Sequence, residues 1–204
     1  MTGPPLTIVS VCDGAKMRNT VSKMAATTGQ AATEADLLRM PSDGWKYELV
    51  DGEIRMSPAG ARHGQVCVSL VLRLGSFVKE RRLGHVFDSS TGFRLPGGNV
   101  RLPDVCFVAR GRFKAEKVPD GFGDVVPDLA VEVLSPDDRA RDVLDKVGEY
   151  LQAGVRLVWV VDPRRERAVA YRSLTDIANI GPDDLLDGGE VLPGFRVKLK
   201  EILD

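Results

Sequence analysis

The chain has 204 residues, of which 43% are hydrophobic and 28% charged, and its formal net charge at pH 7 is -1. This length and composition are typical of one globular domain with enough residues to bury a core. The near-zero net charge excludes binding of nucleic acid by overall charge alone, so such contacts would need a local patch, such as residues 79–82 (KERR) or 164–167 (RRER). The simplest interpretation of both charged runs is solvated surface.

The cysteines and the hydropathy pattern indicate the compartment. Cys12, Cys67 and Cys106 are odd in number and have no paired spacing, so neither a disulfide framework nor a zinc knuckle is expected. No apolar run approaches the roughly 18 residues that suggest a membrane span, and the N-terminus lacks the apolar core of a signal peptide. We therefore expect a cytoplasmic protein that does not enter a membrane.

The N-terminal part differs in composition from the rest. Residues 1–32 are rich in Thr, Ala, Gly and Ser and show no steady periodicity, which predicts a poorly ordered extension, although the apolar patch at residues 6–12 could pair with a sheet edge. Residues 33–204 are predicted to form a single domain. Thr33 is a candidate N-cap for a short helix that ends at Pro41.

A hairpin and a long helix follow. Residues 45–57 contain two strand-like runs around Asp51 and Gly52, a two-residue type I′ turn signal, and leave Glu48 and Glu53 as candidate carboxylates. Residues 61–83 have helical apolar periodicity that ends at Gly84. His63, in the first turn, is either a polar surface or packing residue or a member of a cleft.

The remaining pattern predicts an α/β sheet. Three strands are predicted at residues 85–89, 92–95 and 104–109. A surface loop at residues 110–125 leads to a crossover unit, with a strand at 129–134, a polar stretch offering caps at 135–138, a helix at 139–153 and a strand at 157–161. An edge strand at 168–172, a short closing hairpin and a terminal turn at 199–203 complete the chain.

Charged residues interrupt this apolar pattern at three places. Asp104 opens one strand, Glu132 lies within the strand of the crossover, and Lys146 lies in the crossover helix, four residues from both Asp142 and Tyr150. Because a buried charge costs several kcal/mol unless it is paired or bound to metal, the two carboxylates suggest a site for Mg²⁺ or Mn²⁺. Such a site could hydrolyse a phosphodiester bond, with Lys146 orienting water or neutralising charge on the phosphate.

Simpler interpretations of the same residues exist. Asp142 and Lys146 have the spacing of an ordinary helix salt bridge, which contributes a few tenths of a kcal/mol. Asp104, which follows Pro103, could be a turn residue at the start of a strand. Each residue alone is explained in this way about as well as by chemistry, whereas their combination with Glu132 favours a site.

Several motifs, in order, resemble the PD-(D/E)XK nuclease superfamily and, more closely, its Uma2 family (DUF820) of restriction-endonuclease-like proteins. The resemblance covers residues 33–173. The segments that carry it are YELVDGE at 47–53, PDV-x-FV at 103–108, PDLAVEVLSP at 127–136, the helix residues Arg139, Asp142, Lys146 and Tyr150, Gly154-Val155, and W-x-VDP at 159–163.

The resemblance implies a three-layer α/β sandwich, in which helices flank a mixed central sheet. It implies Asp104 and Glu132 as ligands of Mg²⁺ or Mn²⁺. The superfamily lysine normally lies two positions after the glutamate, where this chain has Leu134, so Lys146 on the following helix is the candidate that replaces it. The early glutamate of the superfamily would be Glu53 or Glu48, with Glu53 ranked slightly first.

The function that the resemblance implies is a Mg²⁺-dependent endonuclease that cleaves DNA. His63, Asp142 and Tyr150 complete its candidate catalytic residues. A homodimer is expected, because two symmetric sites are the simplest way to cut both strands of a duplex. The alternatives are a non-catalytic module with the same fold that binds a partner or nucleic acid, which the near-neutral charge favours slightly, and a hydrolase of another phosphate ester.

Overall fold

The structure is a computed structural model that describes residues 22–24, 31–57, 60–136 and 138–204. Most of the predicted extension at residues 1–32 and its apolar patch at 6–12 lie outside these residues, as does Cys12. Within the described residues, no helix combines the length and the apolar character needed to cross a membrane.

The described residues form four helices, one 3₁₀ turn and thirteen strands. In order they are β1 (Ser22–Met24), α1 (Glu34–Leu37), β2 (Lys46–Val50), β3 (Glu53–Ser57), α2 (Ala61–Arg81), β4 (Gly84–Asp88), β5 (Phe93–Arg94), β6 (Val100–Arg101), β7 (Val105–Ala109), a 3₁₀ turn (Lys114–Glu116), β8 (Leu129–Val133), α3 (Ala140–Ala153), β9 (Leu157–Asp162), β10 (Arg167–Tyr171), β11 (Ile177–Ile180), β12 (Leu185–Asp187), β13 (Arg196–Lys198) and α4 (Leu199–Leu203).

The main sheet has six strands in the order β11-β10-β9-β8-β7-β4. It is mixed: β8 and β9 are parallel and are joined by α3, as the crossover pattern predicts, whereas the other neighbours are antiparallel. The chain is thus an α/β protein with a mixed sheet and few helices.

The two faces of this sheet bury different helices. Alternate residues of β8, such as Leu129 and Val131, share a core cluster with Val66 and Leu70 of α2. Ala130, which points the opposite way, belongs to a second cluster with Val147 and Tyr150 of α3. Because side chains alternate along a strand, Glu132 lies on the same face as Ala130 and is directed towards α3.

A second, five-stranded antiparallel sheet has the order β1-β3-β2-β6-β5. It contains the predicted hairpin, whose turn residues Asp51 (φ 53°) and Gly52 (φ 73°) both have the positive φ of a type I′ turn. Sequence reasoning did not separate this sheet from the main one. The chain passes from β6 through Leu102 and Pro103 to β7, so Asp104 lies where the two sheets meet.

Four local predictions need correction. The second helix ends at Arg81 and its left-handed C-cap is Arg82 (φ 54°), not Gly84. The N-cap of helix α3 is Arg139, whose side chain has no acceptor and makes no cap, and Asp138 of the preceding polar stretch accepts a hydrogen bond from the backbone N–H of Ser135. The strand predicted at the sheet edge, β10, is an inner strand because β11 pairs on its outer side. Strands β1, β6 and β11 were not predicted, and β1, which lies within the predicted extension, pairs with β3.

Candidate active site

Three carboxylates from separate segments meet at the floor of one cleft. Glu48 comes from the middle of β2, Asp104 immediately precedes β7, and Glu132 comes from β8. Although the cleft is open, the three residues are between 4% and 8% exposed. Buried carboxylates need compensating partners, so the contacts around each one define what the site can do.

Helix α3 supplies two partners of Glu132. Lys146 Nζ lies 2.9 Å from Glu132 Oε2, and the Tyr150 hydroxyl donates a hydrogen bond of 2.8 Å to Glu132 Oε1. Lys146 and Tyr150 are four residues apart and therefore lie on one face of the helix, which is the face packed against β8. The helical spacing in the sequence predicts this pair of contacts.

The ammonium of Lys146 also reaches the second sheet. Its Nζ lies 3.0 Å from Glu48 Oε1, so a single cation bridges Glu48 and Glu132. Glu48 Oε1 also accepts a hydrogen bond of 2.8 Å from the Leu102 backbone N–H, and Arg101 Nη1 lies 3.1 Å from Glu48 Oε2. Arg101 in turn pairs with Glu149 of α3. These contacts join the two sheets and α3 in one ionic network.

Asp104 has a different set of partners. Lys46 Nζ lies 2.7 Å from its Oδ1, while its Oδ2 accepts a 2.8 Å hydrogen bond from the Val133 backbone N–H and lies 3.1 Å from His63 Nε2. The other ring nitrogen of His63 lies 3.6 Å from Cys67 Sγ. His63 and Cys67 are one turn apart on α2, so this helix contributes a line of two side chains that ends at Asp104.

Burial and neighbouring charges separate the pKa values of the carboxyl groups. Burial alone would raise the pKa of Asp104, but Lys46 and the hydrogen bond from His63 hold it well below its ordinary value. Burial is likewise opposed at Glu48, where Lys146, Lys46 and Arg101 lower the pKa to about 2. Glu132 differs, because burial raises its pKa and the two lysines do not offset this.

The imidazole of His63 is held in its protonated form. Burial alone would lower its pKa, but hydrogen bonds with Asp104 and Cys67 raise it to about 10. Burial of Tyr150, together with the charges of Glu132 and Glu48, keeps the pKa of its phenol well above the ordinary value. Tyr150 is therefore a hydrogen-bond donor to Glu132 and not an acid that ionises near neutral pH.

The cleft above these groups has a volume of about 1230 Å³. Six of the predicted site residues lie together at this site in two contact sets: His63 contacts Asp104, and Lys146 contacts Glu48 and Glu132, the latter of which also accepts a hydrogen bond from Tyr150. Asp142 lines the cleft but is exposed. Glu53 follows the hairpin turn, is partly exposed and is not among the residues that line the cleft, so the structure places Glu48 and not Glu53 beside the other carboxylates.

Sequence reasoning missed Lys46, Arg101, Cys67 and Glu149. Lys46 lies two residues before Glu48, and this spacing places both on one face of β2, which was an available signal. Cys67 lies one helical turn after His63, which was a second signal. Arg101 had none, because it lies in a two-residue strand that was not predicted.

The positions of the potential ligand atoms can be compared with the predicted metal ligands, Asp104 and Glu132. Among the described residues, His63, Cys67 and Asp104 form the one group of three potential ligands whose atoms lie within 4.8 Å of one another. Asp104 and Glu132, the predicted pair, are each in contact with a lysine ammonium. A divalent cation that binds this pair would displace those ammonium groups from the carboxylates.

The fold and site define a mixed α/β protein with a carboxylate and lysine cluster at the floor of an open cleft. The chain belongs to the Uma2 family, whose model, described as "Putative restriction endonuclease", matches residues 34–200. Comparison with curated proteins gave no match.

Among solved structures, the chain is similar to a protein from Anabaena variabilis ATCC 29413, described as "a putative nuclease belonging to DUF820". The match has a TM-score of 0.72 and 21% sequence identity, and covers 84% of this chain and 97% of the other. At this identity the likeness shows a shared fold. The family identification from the motifs is confirmed by the family model.

Proposed function

We propose that this protein is a Mg²⁺- or Mn²⁺-dependent endonuclease that hydrolyses phosphodiester bonds of DNA. The observation that carries the proposal is the convergence of Glu48, Asp104 and Glu132 with Lys46 and Lys146 in one cleft. A purely structural core would have no need to bury three carboxylates. Membership of a family whose model is described as "Putative restriction endonuclease" supports the same reaction class.

The donor chemistry fits a hard divalent cation. All donors of the carboxylate cluster are oxygens, which suit Mg²⁺ and Mn²⁺. The Lys146 ammonium between Glu48 and Glu132 indicates that the cluster stabilises a positive charge there. Asp104 and Glu132 would hold the metal, which would polarise a phosphoryl oxygen and lower the pKa of a bound water.

The side chains around this pair would position the reactants. Lys146 would stabilise charge that develops on the phosphate and orient the attacking water. Tyr150, by its hydrogen bond to Oε1, fixes the orientation of Glu132. His63 holds a proton at Nε2 against Asp104 and so keeps that carboxylate ionised and oriented. Asp142 would act from the rim of the cleft, and Glu53 lies outside the cleft.

The architecture, domain limits, location and assembly of the protein are also proposals. The packing of α2 and α3 on opposite faces of the mixed sheet supports a three-layer, restriction-endonuclease-like sandwich. We propose residues 33–204 as its single domain, residues 1–32 as an extension, a cytoplasmic location and a homodimer. Light scattering that detects only a monomer at micromolar concentration would contradict the dimer.

Cleavage of supercoiled and linear DNA with Mg²⁺ or Mn²⁺ tests the function. Glu132→Ala and Lys146→Ala should each lose at least about 100-fold in rate, as when a main electrostatic group is removed from an active site. Lys200→Ala is a matched control, because Lys200 pairs with Asp183 on an exposed surface. Activity that survives Lys146→Ala but not Glu132→Ala would remove the lysine from the mechanism and keep the metal site.

A second candidate function is a non-catalytic module that keeps this fold and binds nucleic acid or a protein partner. One observation favours it: each of the three carboxylates already has a positively charged partner from the chain itself. Wild-type protein that is folded but cleaves neither DNA nor RNA with either metal would favour this function over the nuclease.

A further inference from the structure

The two tryptophans of the chain have opposite environments. Trp159 of β9 is fully buried in the core of the main sheet, where it packs against Phe195. Trp45, immediately before β2, is 42% exposed and lines the cleft that contains the carboxylate cluster. An indole gains free energy when its apolar faces leave water, so an exposed indole in a cleft offers a surface to a ligand.

Other apolar side chains line the same cleft as Trp45. Leu38, which is 64% exposed, and the partly buried Met40 and Phe122 line the same cleft. The floor, by contrast, is ionic. A ligand that fits the whole cleft therefore has a flat or apolar part and an anionic part close to each other.

Two adjacent residues of the chain provide the indole and one of the ammonium groups of the cleft. Lys46 follows Trp45, and its ammonium contacts Asp104 Oδ1 at 2.7 Å. Trp45 and Lys46 are consecutive residues, so their Cα atoms are about 3.8 Å apart. Both side chains line the cleft. A nucleotide has the matching pair of groups, a base with two flat faces and a phosphate.

We propose that Trp45 is a stacking platform for an unpaired nucleobase next to the phosphate that reaches the carboxylates, so that the substrate enters as single-stranded or locally unpaired nucleic acid. This rests on the proposed function for its choice of nucleic acid as the ligand. A base inside a duplex is covered on both faces by its neighbours and cannot stack on a side chain without leaving the helix. Stacking on exposed aromatic groups is the usual way in which proteins hold single strands.

The opposite charge that a single strand requires is present in the same cleft. Arg139 and Arg141, at the start of α3, are exposed and line it. Arginines that flank an aromatic platform can contact the phosphates on either side of the stacked base. The cleft thus combines an aromatic side chain with two exposed arginines, of which Arg141 lies 3.8 Å from Asp145, also at the cleft.

The fluorescence of Trp45 provides a test that does not need catalysis. The wild-type protein is titrated in EDTA with a 12-nucleotide oligothymidylate, an abasic strand of the same length and a blunt duplex. Trp159 is fully buried and serves as a constant background. We expect saturable quenching by the oligothymidylate alone, and weaker binding of it to Trp45→Ala by roughly 5- to 150-fold in anisotropy measurements, the range reported for loss of one stacked base.

Two variants control this experiment. Trp45→Phe keeps an aromatic ring and should retain most of the affinity, whereas Lys200→Ala changes a distant surface charge and should bind like the wild type. Equal quenching by the abasic strand or the duplex would overturn the proposal, as would an unchanged affinity of Trp45→Ala. Failure of the proposed function is seen separately, as absence of hydrolysis with Mg²⁺ or Mn²⁺ despite quenching in EDTA.

Discussion

Removal of the Lys146 ammonium should destabilise the protein strongly. This group lies 2.9 Å from Glu132 Oε2 and 3.0 Å from Glu48 Oε1, and its side chain is only 15% exposed. Lys146→Ala leaves two buried carboxylates without the cation between them. Loss of one partner from a buried ion pair typically costs about 3–5 kcal/mol. For a chain of this size, that lowers the unfolding midpoint by roughly 6–20 °C.

Thermal and urea unfolding of Lys146→Ala measure this cost in a metal-free buffer. The comparison is Lys200→Ala, which breaks a shorter (2.6 Å) but exposed pair with Asp183 and should leave the midpoint nearly unchanged. The double variant Lys146→Met with Glu132→Gln should recover part of the loss, because it removes one of the stranded charges. If Lys146→Ala is as stable as Lys200→Ala, Lys146 does not hold the carboxylates together.

Three further predictions concern the same cluster. Glu48→Gln should reduce DNA cleavage by about 100-fold or more, whereas Glu53→Gln should change it less than about threefold, because Glu48 and not Glu53 lines the cleft; equal losses in a cleavage assay would contradict this. Tyr150→Phe should destabilise the fold by about 1.5–3 kcal/mol in urea unfolding, the usual value for a hydrogen bond to a charged group, here Glu132 Oε1. Glu48 should make the free energy of unfolding depend on pH in acid, because its pKa is about 2 in the folded chain against an ordinary value of 4.5. The ionised carboxylate therefore contributes on the order of 3 kcal/mol to stability. This contribution is complete above pH 4.5 and is lost as the pH falls towards 2. Glu48→Gln should remove that part of the slope, and an unchanged slope would refute the assignment.

Local patterns predicted the half of the site that depends on α3 and β8. Glu132 interrupts an apolar strand, and Lys146 and Tyr150 share one helical face. Since strand and helix are adjacent in the sequence and their periodicities are regular, their contact follows from the crossover unit. The family motifs added the roles of these residues.

The other half depends on how two sheets meet, which no local pattern describes. Arg101 reaches Glu48 because β6 pairs with β2 at a single register, Leu49 with Val100. Strands of two residues such as β6 carry no periodicity, so the partner of Glu48 could not be found. The same limit explains why the sequence ranks Glu53 slightly before Glu48: Glu53 directly follows the tight turn, and only the position of the second sheet shows that Glu48 is the one that lines the cleft.

Element ends were missed where the backbone departed from usual residue preferences. A glycine is the common left-handed cap, which favoured Gly84, but Arg82 adopts that conformation. Strand β11 contains Asn179 between apolar residues and is only half buried, so its pattern was weak. Its existence made β10 an inner strand.

Direct titration of Mg²⁺ and Mn²⁺ into the metal-free protein by calorimetry tests the central claim, that the buried carboxylates bind a divalent cation in exchange for lysine ammonium groups. We expect saturable binding to the wild type, loss of binding in Asp104→Asn, and unchanged binding in Asp183→Asn, whose carboxylate is exposed. Binding that survives Asp104→Asn at the wild-type affinity, or absent binding of both metals to the folded wild-type protein, would contradict it.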